Sequence, residues 1–72
     1  MINKIYFGKR IAALRRKAGY SQAELAEKLN ITPQAVSKWE CGAAIPYIEL
    51  LLRLSHIYNV SVNQMFEDND LV

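Results

Sequence analysis

Gln34, Ser37 and Lys38 fall at i, i+3 and i+4, so on a helix they share one face and project together. Val36 and Trp39 supply the apolar positions that would hold such a helix inward. Pro33, Gln34, Ser37 and Lys38 are then left on its outer side, with Ala35 beside them. A Gln amide carries a donor and an acceptor, which match the major-groove edge of adenine, and Lys donates to guanine or to phosphate. A second polar group, Gln22, opens another helical segment. Free backbone N–H groups and the positive end of the helix dipole can meet a phosphate there. The chemistry on offer is hydrogen-bonded recognition rather than bond making. No Ser/His/Asp or Cys/His set, carboxylate pair or glycine-rich phosphate loop is laid out for catalysis, so no enzyme activity is expected. His56 lies in a Leu-rich segment with no ligand at metal spacing and reads as structural or surface. The lone Cys41 can form neither an internal disulfide nor a zinc site. No cofactor, metal or small-molecule ligand is expected.

Two short helices must position these groups. Leu25, Ala26 and Leu29 form one apolar stripe over Gln22 to Leu29, and Ile31, Val36 and Trp39 supply the other side of a contact with Pro33 to Glu40. Ser21 with Glu24 three residues on makes a Ser-x-x-Glu capping box. Asn30 suits the left-handed backbone that ends a helix. Thr32 can cap the next helix, and Pro33 fits its first position, where no N–H is needed. Ala26 lies where the two helices approach closest. This spacing predicts a helix-turn-helix over residues 21–40, the arrangement that places one helix in the DNA major groove.

The remaining chain reads as three further helices. Phe7, Ile11, Leu14 and Ala18 lie on one face of a helix from about Asn3 to Ala18, stopped by Gly19. Gly42 ends the third helix. Pro46 or Tyr47 opens a fourth, to about Tyr58, which buries Leu50, Leu51, Leu54 and Ile57. Ser61 caps a short fifth, about Val62 to Phe66, with Val62, Met65 and Phe66 facing the core. Tyr6, Tyr20, Tyr47 and Tyr58 are expected to pack at element ends. The expected fold is all-α, five short helices around one core, a single domain over residues 1–72 with a tail at 67–72 that frays.

Composition agrees. At 72 residues with 51% apolar content the chain can hold one modest core. It shows no membrane-spanning run and no secretory-signal layout, and a cytoplasmic setting is expected. Charge is lopsided. Residues 1–23 carry six basic and no acidic side chains, whereas the rest carries three basic against seven acidic ones. One end of the fold should therefore attract polyanions and the other should not.

The stretch Ser-Gln-Ala-Glu-Leu-Ala-Glu-Lys-Leu-Asn-Ile-Thr-Pro-Gln-Ala-Val-Ser-Lys-Trp-Glu at 21–40 resembles the helix-turn-helix of the phage Cro and lambda-repressor family, also called the XRE family. Gly42, Ile45-Pro46, Ile48-Glu49-Leu50-Leu51 and Asn59-Val60-Ser61-Val62 extend the likeness to roughly residues 5–66. The resemblance implies that Gln34 and Lys38 read bases and that Ser37 contacts either base or phosphate, with Pro33 and Ala35 in the same reading face. Ser21, Gln22, Thr32 and Arg15 would meet phosphate, and Gln22 would also brace the reading helix. It implies that Arg15, at the DNA-facing surface, pairs with Glu40. Arg10, Arg16 and Lys17 would act as general attractors of the DNA backbone. Two residues depart from the family pattern. Cys41 stands where Asn or another small polar residue is usual, which removes a good phosphate donor. Asn30 stands for the more usual Gly, a conservative change for that backbone. The implied function is a double-stranded DNA-binding transcriptional regulator. It would be a homodimeric repressor on a palindromic site, dimerising through the region of the fourth and fifth helices and the C-terminal end. Two other readings stay open: the antitoxin of a toxin–antitoxin pair, and the DNA-binding half of a larger regulator.

Overall fold

A computed structural model describes residues 3–67 and arranges them as five helices, α1 (Lys4–Ala18), α2 (Gln22–Leu29), α3 (Pro33–Glu40), α4 (Ile48–Tyr58) and α5 (Val62–Phe66). No strand occurs among the described residues. The expected tail falls outside them except for Glu67, which follows α5 in extended conformation.

Local chemistry sets each boundary. Asn3 is the cap of α1 rather than its first residue, its Oδ1 accepting from the Tyr6 N–H at 2.9 Å. Both halves of the Ser21–Glu24 box form: Ser21 Oγ accepts from the Glu24 N–H at 3.0 Å, and the Glu24 carboxylate from the Ser21 N–H at 2.8 Å. The bond from the Ser21 backbone, with that from its side chain, holds the Glu24 carboxyl below its ordinary range. Asn30 ends α2 at φ 59°, and the Ile31 N–H reaches back to the Ala26 carbonyl at 2.9 Å. Thr32 Oγ1 accepts from Ala35 N–H at 3.3 Å, with Pro33 at the first position of α3. A second capping box, Ser61–Gln64, starts α5.

The core gathers Phe7 and Ile11 from α1, Leu25, Ala26 and Leu29 from α2, Val36 and Trp39 from α3, Leu50, Leu51 and Leu54 from α4, and Met65 from α5. Trp39 is a core residue. The Phe7 and Phe66 rings stack with centroids 4.6 Å apart and close α5 onto α1.

Several expectations need correction. Ala18 is exposed, because the last turn of α1, including Arg16 and Lys17, runs past the core. The buried face of α1 includes Gly8, Ala12 and Arg15 instead. Helix α4 starts at Ile48 with Tyr47 as its cap. Pro46 is buried just before it, while Tyr47 and Ile48 are each 63% exposed. Tyr47 therefore does not pack. Ile57, Val62 and Phe66 do face the core as expected, but lie half-buried at its edge.

Three positions went unread in the sequence. A Cβ at Gly8 would stand 2.5 Å from the Trp39 carbonyl oxygen and 2.7 Å from that of Glu40, so α1 approaches the end of α3 closely only because residue 8 lacks a side chain. Arg53 donates to the carbonyls of Leu29 at 3.0 Å and Lys28 at 3.1 Å, putting a positive charge on the negative end of α2. Ser55 Oγ donates to the Val60 carbonyl at 2.6 Å and fixes the turn into α5.

Candidate nucleic-acid interface

Burying Val36 and Trp39 leaves a polar ridge on α3. Pro33, Gln34, Ser37 and Lys38 are exposed on it, none with a side-chain hydrogen bond among those present. Ala35 is half-buried against the core, so only its edge adjoins the ridge. Thr32 and Ser21 are exposed at the starts of α3 and α2, their oxygens engaged as caps.

Behind the ridge lies one connected polar assembly. Arg15 Nε donates to Glu40 Oε2 at 2.7 Å, and its Nη2 to Glu40 Oε1 at 3.0 Å. Arg15 Nη1 donates to the Tyr20 carbonyl at 2.8 Å. Gln22 Nε2 donates to Glu40 Oε1 at 3.0 Å. One carboxylate thus ties α1, the start of α2 and the end of α3 together. The Arg15 and Glu40 side chains are 10% and 7% exposed. Arg15, expected to meet phosphate, instead sits under the surface, each of its nitrogens donating inside the protein rather than turned outward. Burial pushes the Glu40 carboxyl up, but the bonds from Arg15 and Gln22 and the charges of Arg15 and Arg16 prevail and hold it below its usual value. The bond to Glu40 raises the Arg15 guanidinium against the opposing effect of burial. Burial, with the Glu40 charge adding to it, pushes the neighbouring Tyr58 hydroxyl up to about 12.

An open cleft of about 300 Å³ joins this assembly to the ridge. Lys9 and Arg16 from α1, Gln22 from α2, and Ser37, Glu40 and Cys41 at α3 line it, so Ser37 belongs to ridge and cleft alike. Gln22 bonded to Glu40 keeps its amide oxygen free in the cleft wall, and its backbone N–H stands in the first turn of α2, where a helix has no internal acceptor. Neither the placement of Lys9 in this cleft nor the half-burial of Arg10 could be read from spacing, because both depend on how α1 rolls against α3. Cys41 is exposed, its Sγ 3.5 Å from the Lys38 carbonyl. No group of three or more His, Cys, Asp or Glu side chains among the described residues could hold a metal ion. No helix among them is long and apolar enough to cross a membrane.

Residues 11–64 match the family described as Helix-turn-helix. The chain is 42% identical over 64 residues to the HTH-type transcriptional regulator ImmR of Bacillus subtilis, covering 89% of this chain and 50% of that protein. It is 30% identical over 66 residues to the HTH-type transcriptional activator BcrR of Enterococcus faecalis, covering 92% of this chain and 32% of the other. Among solved structures, the SOS-response transcriptional repressor LexA from Eubacterium rectale superposes with a TM-score of 0.88 at 26% identity, over 97% of this chain and 74% of that one. The chain thus spans half or less of the length of these two curated relatives.

Proposed function

This chain belongs to the helix-turn-helix family, in its Cro and lambda-repressor-like (XRE) branch, and from that membership we propose that it is a sequence-specific regulator of transcription that binds double-stranded DNA. The observation that carries the reading is the α3 ridge: Gln34, Ser37 and Lys38 stand unengaged on one exposed helix face, with the cations Lys9 and Arg16 on the adjoining cleft wall. In this reading α3 enters the major groove, Gln34 and Lys38 meet base edges, and Ser37 meets base or phosphate. Pro33 and the edge of Ala35 line the contact. Ser21, Gln22 and Thr32 meet the phosphates that fix register and carry no sequence information. Arg15 contributes through Glu40 and Gln22, as the support that holds α3 at its angle, and not by touching phosphate itself.

The regulator acts as a homodimeric repressor on a palindromic site. Each recognition helix reads only a few base pairs, and two of them about 34 Å apart double the contacts. Repression requires only occupancy of a promoter, which a chain of this size can achieve by itself. The coverage of its relatives favours one further possibility, that these residues serve as the DNA-binding part of a longer regulator.

The test is a titration of labelled duplex DNA by fluorescence anisotropy at two ionic strengths. Tight binding that weakens steeply with salt is expected, since each neutralised phosphate releases counterions. Absence of any complex at low ionic strength would overturn the reading.

A further inference from the structure

The last four carbonyls of a helix have no partner within it. In α2 these belong to Ala26, Glu27, Lys28 and Leu29. The turn itself serves the first two, the Asn30 N–H donating to Glu27 at 3.1 Å and the Ile31 N–H to Ala26 at 2.9 Å. Arg53 of α4 serves the other two, its Nη1 donating to Leu29 at 3.0 Å and its Nη2 to Lys28 at 3.1 Å. One guanidinium fork thus completes the account of this helix end. No described side chain serves the last two carbonyls of α1, on Lys17 and Ala18, so a helix here can end without such a fork.

The fork acts where the direction of α3 is set. Only Asn30, Ile31 and Thr32 separate Leu29 from the first residue of α3, so holding the last two peptide planes of α2 holds the path of the turn. Two bonds from a planar group fix rotation as well as distance, which a point charge cannot do. Arg53 is firmly rooted, because Leu50 and Leu54 on either side of it are 5% and 0% exposed. The far end of α3 has its own support, Arg15 through Glu40. We propose that Arg53 is a positioning residue for DNA recognition, which acts through the Lys28 and Leu29 carbonyls to set the start of α3 and with it the placement of Gln34.

Such a role is felt at one end of α3. Gln34 follows Pro33 directly after the turn, whereas Lys38 lies one turn on, near Glu40, whose bonds to Arg15 and Gln22 do not involve Arg53. Losing the fork lets the start of α3 shift, so preference is lost at the bases that Gln34 meets and kept at those that Lys38 meets. A contribution to stability alone would weaken binding to every sequence alike, since it changes only the folded fraction. His56 lines the same open groove as Arg53 but makes no bond to α2 among those present, and it serves as the control. The proposal rests on the reading of α3 given above and assigns it a second support.

The test has two arms, the first without DNA. Arg53→Met keeps the aliphatic stem and removes every donor. Amide hydrogen exchange at Ile31 should then speed up about tenfold, the scale of lost bonds to a charged donor, and that at Tyr20 by less than about twofold. The Tyr20 N–H closes the end of α1 on the Arg15 carbonyl and reports the stability of the whole fold. The second arm selects duplexes from a random pool. R53M should lose preference at the positions that Gln34→Ala also affects and keep it elsewhere. R53K, which retains the charge without the fork, should recover part of the loss, and H56A should give the parent motif. Circular dichroism checks that each variant folds, and R53K is read in place of R53M should the latter not fold. Equal acceleration at Ile31 and Tyr20, or a loss of preference in H56A equal to that in R53M, would overturn the proposal. A motif for R53M identical to an enriched parent motif would overturn it alone, whereas a parent chain that enriches no motif would overturn the reading of α3 and the proposal with it.

Discussion

Arg15 grips Glu40 through two parallel hydrogen bonds of 2.7 and 3.0 Å across 25 residues of sequence, and both side chains are nearly closed to solvent. The pair joins the basic helix α1 to the end of α3, and Gln22 adds α2 to the same carboxylate. Orientation of the ridge therefore depends on a buried charge network behind it.

Breaking that network from one side should cost more than the network contributes. Arg15→Met leaves Glu40 buried without its cation, and the expected loss of unfolding free energy is about 3–5 kcal/mol. Joint replacement, Arg15→Met with Glu40→Leu, should recover much of the loss, because no charge is left stranded. Urea unfolding of the two single variants and the double variant measures the coupling; additive losses would contradict it.

Acid should act on the same carboxylate. Glu40 is held below the ordinary value of 4.5, so its contribution is fully present above that pH and is lost as pH falls through the lower folded value. Glu40→Gln should flatten this part of the acid dependence of stability, as read from thermal unfolding across pH 2–6 (roughly the carboxylate range). An unchanged acid profile would show that Glu40 is not the titrating group.

Gly8 permits the closest approach of α1 to α3. Alanine improves an exposed helix interior by roughly 0.5–1 kcal/mol, yet here its methyl would meet backbone oxygens at 2.5 and 2.7 Å. Gly8→Ala should destabilise by about 1–3 kcal/mol, as overpacking does. A higher denaturation midpoint for the variant would refute the close contact.

In the proposed reading, the cleft residues contribute affinity and the α3 ridge contributes readout. Lys9→Ala and Arg16→Ala should each weaken duplex binding evenly over all sequences and make the salt dependence shallower, by about one counterion apiece. Gln22→Ala should also weaken binding without changing base preference, with some loss of stability from its bond to Glu40. A change confined to one base position would contradict a phosphate role, and competition against a pool of randomised duplexes distinguishes the two.

The helices and their caps were legible in the sequence because each is written in local chemistry. Ser21 with Glu24, Asn30, and Thr32 with Pro33 fix the boundaries of α2 and α3 where spacing places them. The ridge was legible for the same reason, since burial of Val36 and Trp39 decides which side of α3 is outside. What could not be read depends on contacts between distant segments. Gly8 looks like an ordinary weak point in a helix until the carbonyls of Trp39 and Glu40 arrive over it. Arg53 looks like a solvated cation until α2 ends beside it. The Arg15–Glu40 bond entered through family resemblance rather than spacing. Ile48 was not placed outside the core, because the start of α4 is set by the buried Pro46 and lies two residues later than proline position alone suggests.

Selection of bound duplexes from a random pool at stated ionic strength, run in parallel for the parent chain and for Gln34→Ala with Lys38→Ala, tests the reading ridge most directly. The expected result is an enriched motif for the parent chain that loses preference at particular positions in the variant, each at a cost of about 1–3 kcal/mol. Identical motifs from the two proteins, or no enrichment by the parent chain, would contradict α3 as the element that reads DNA.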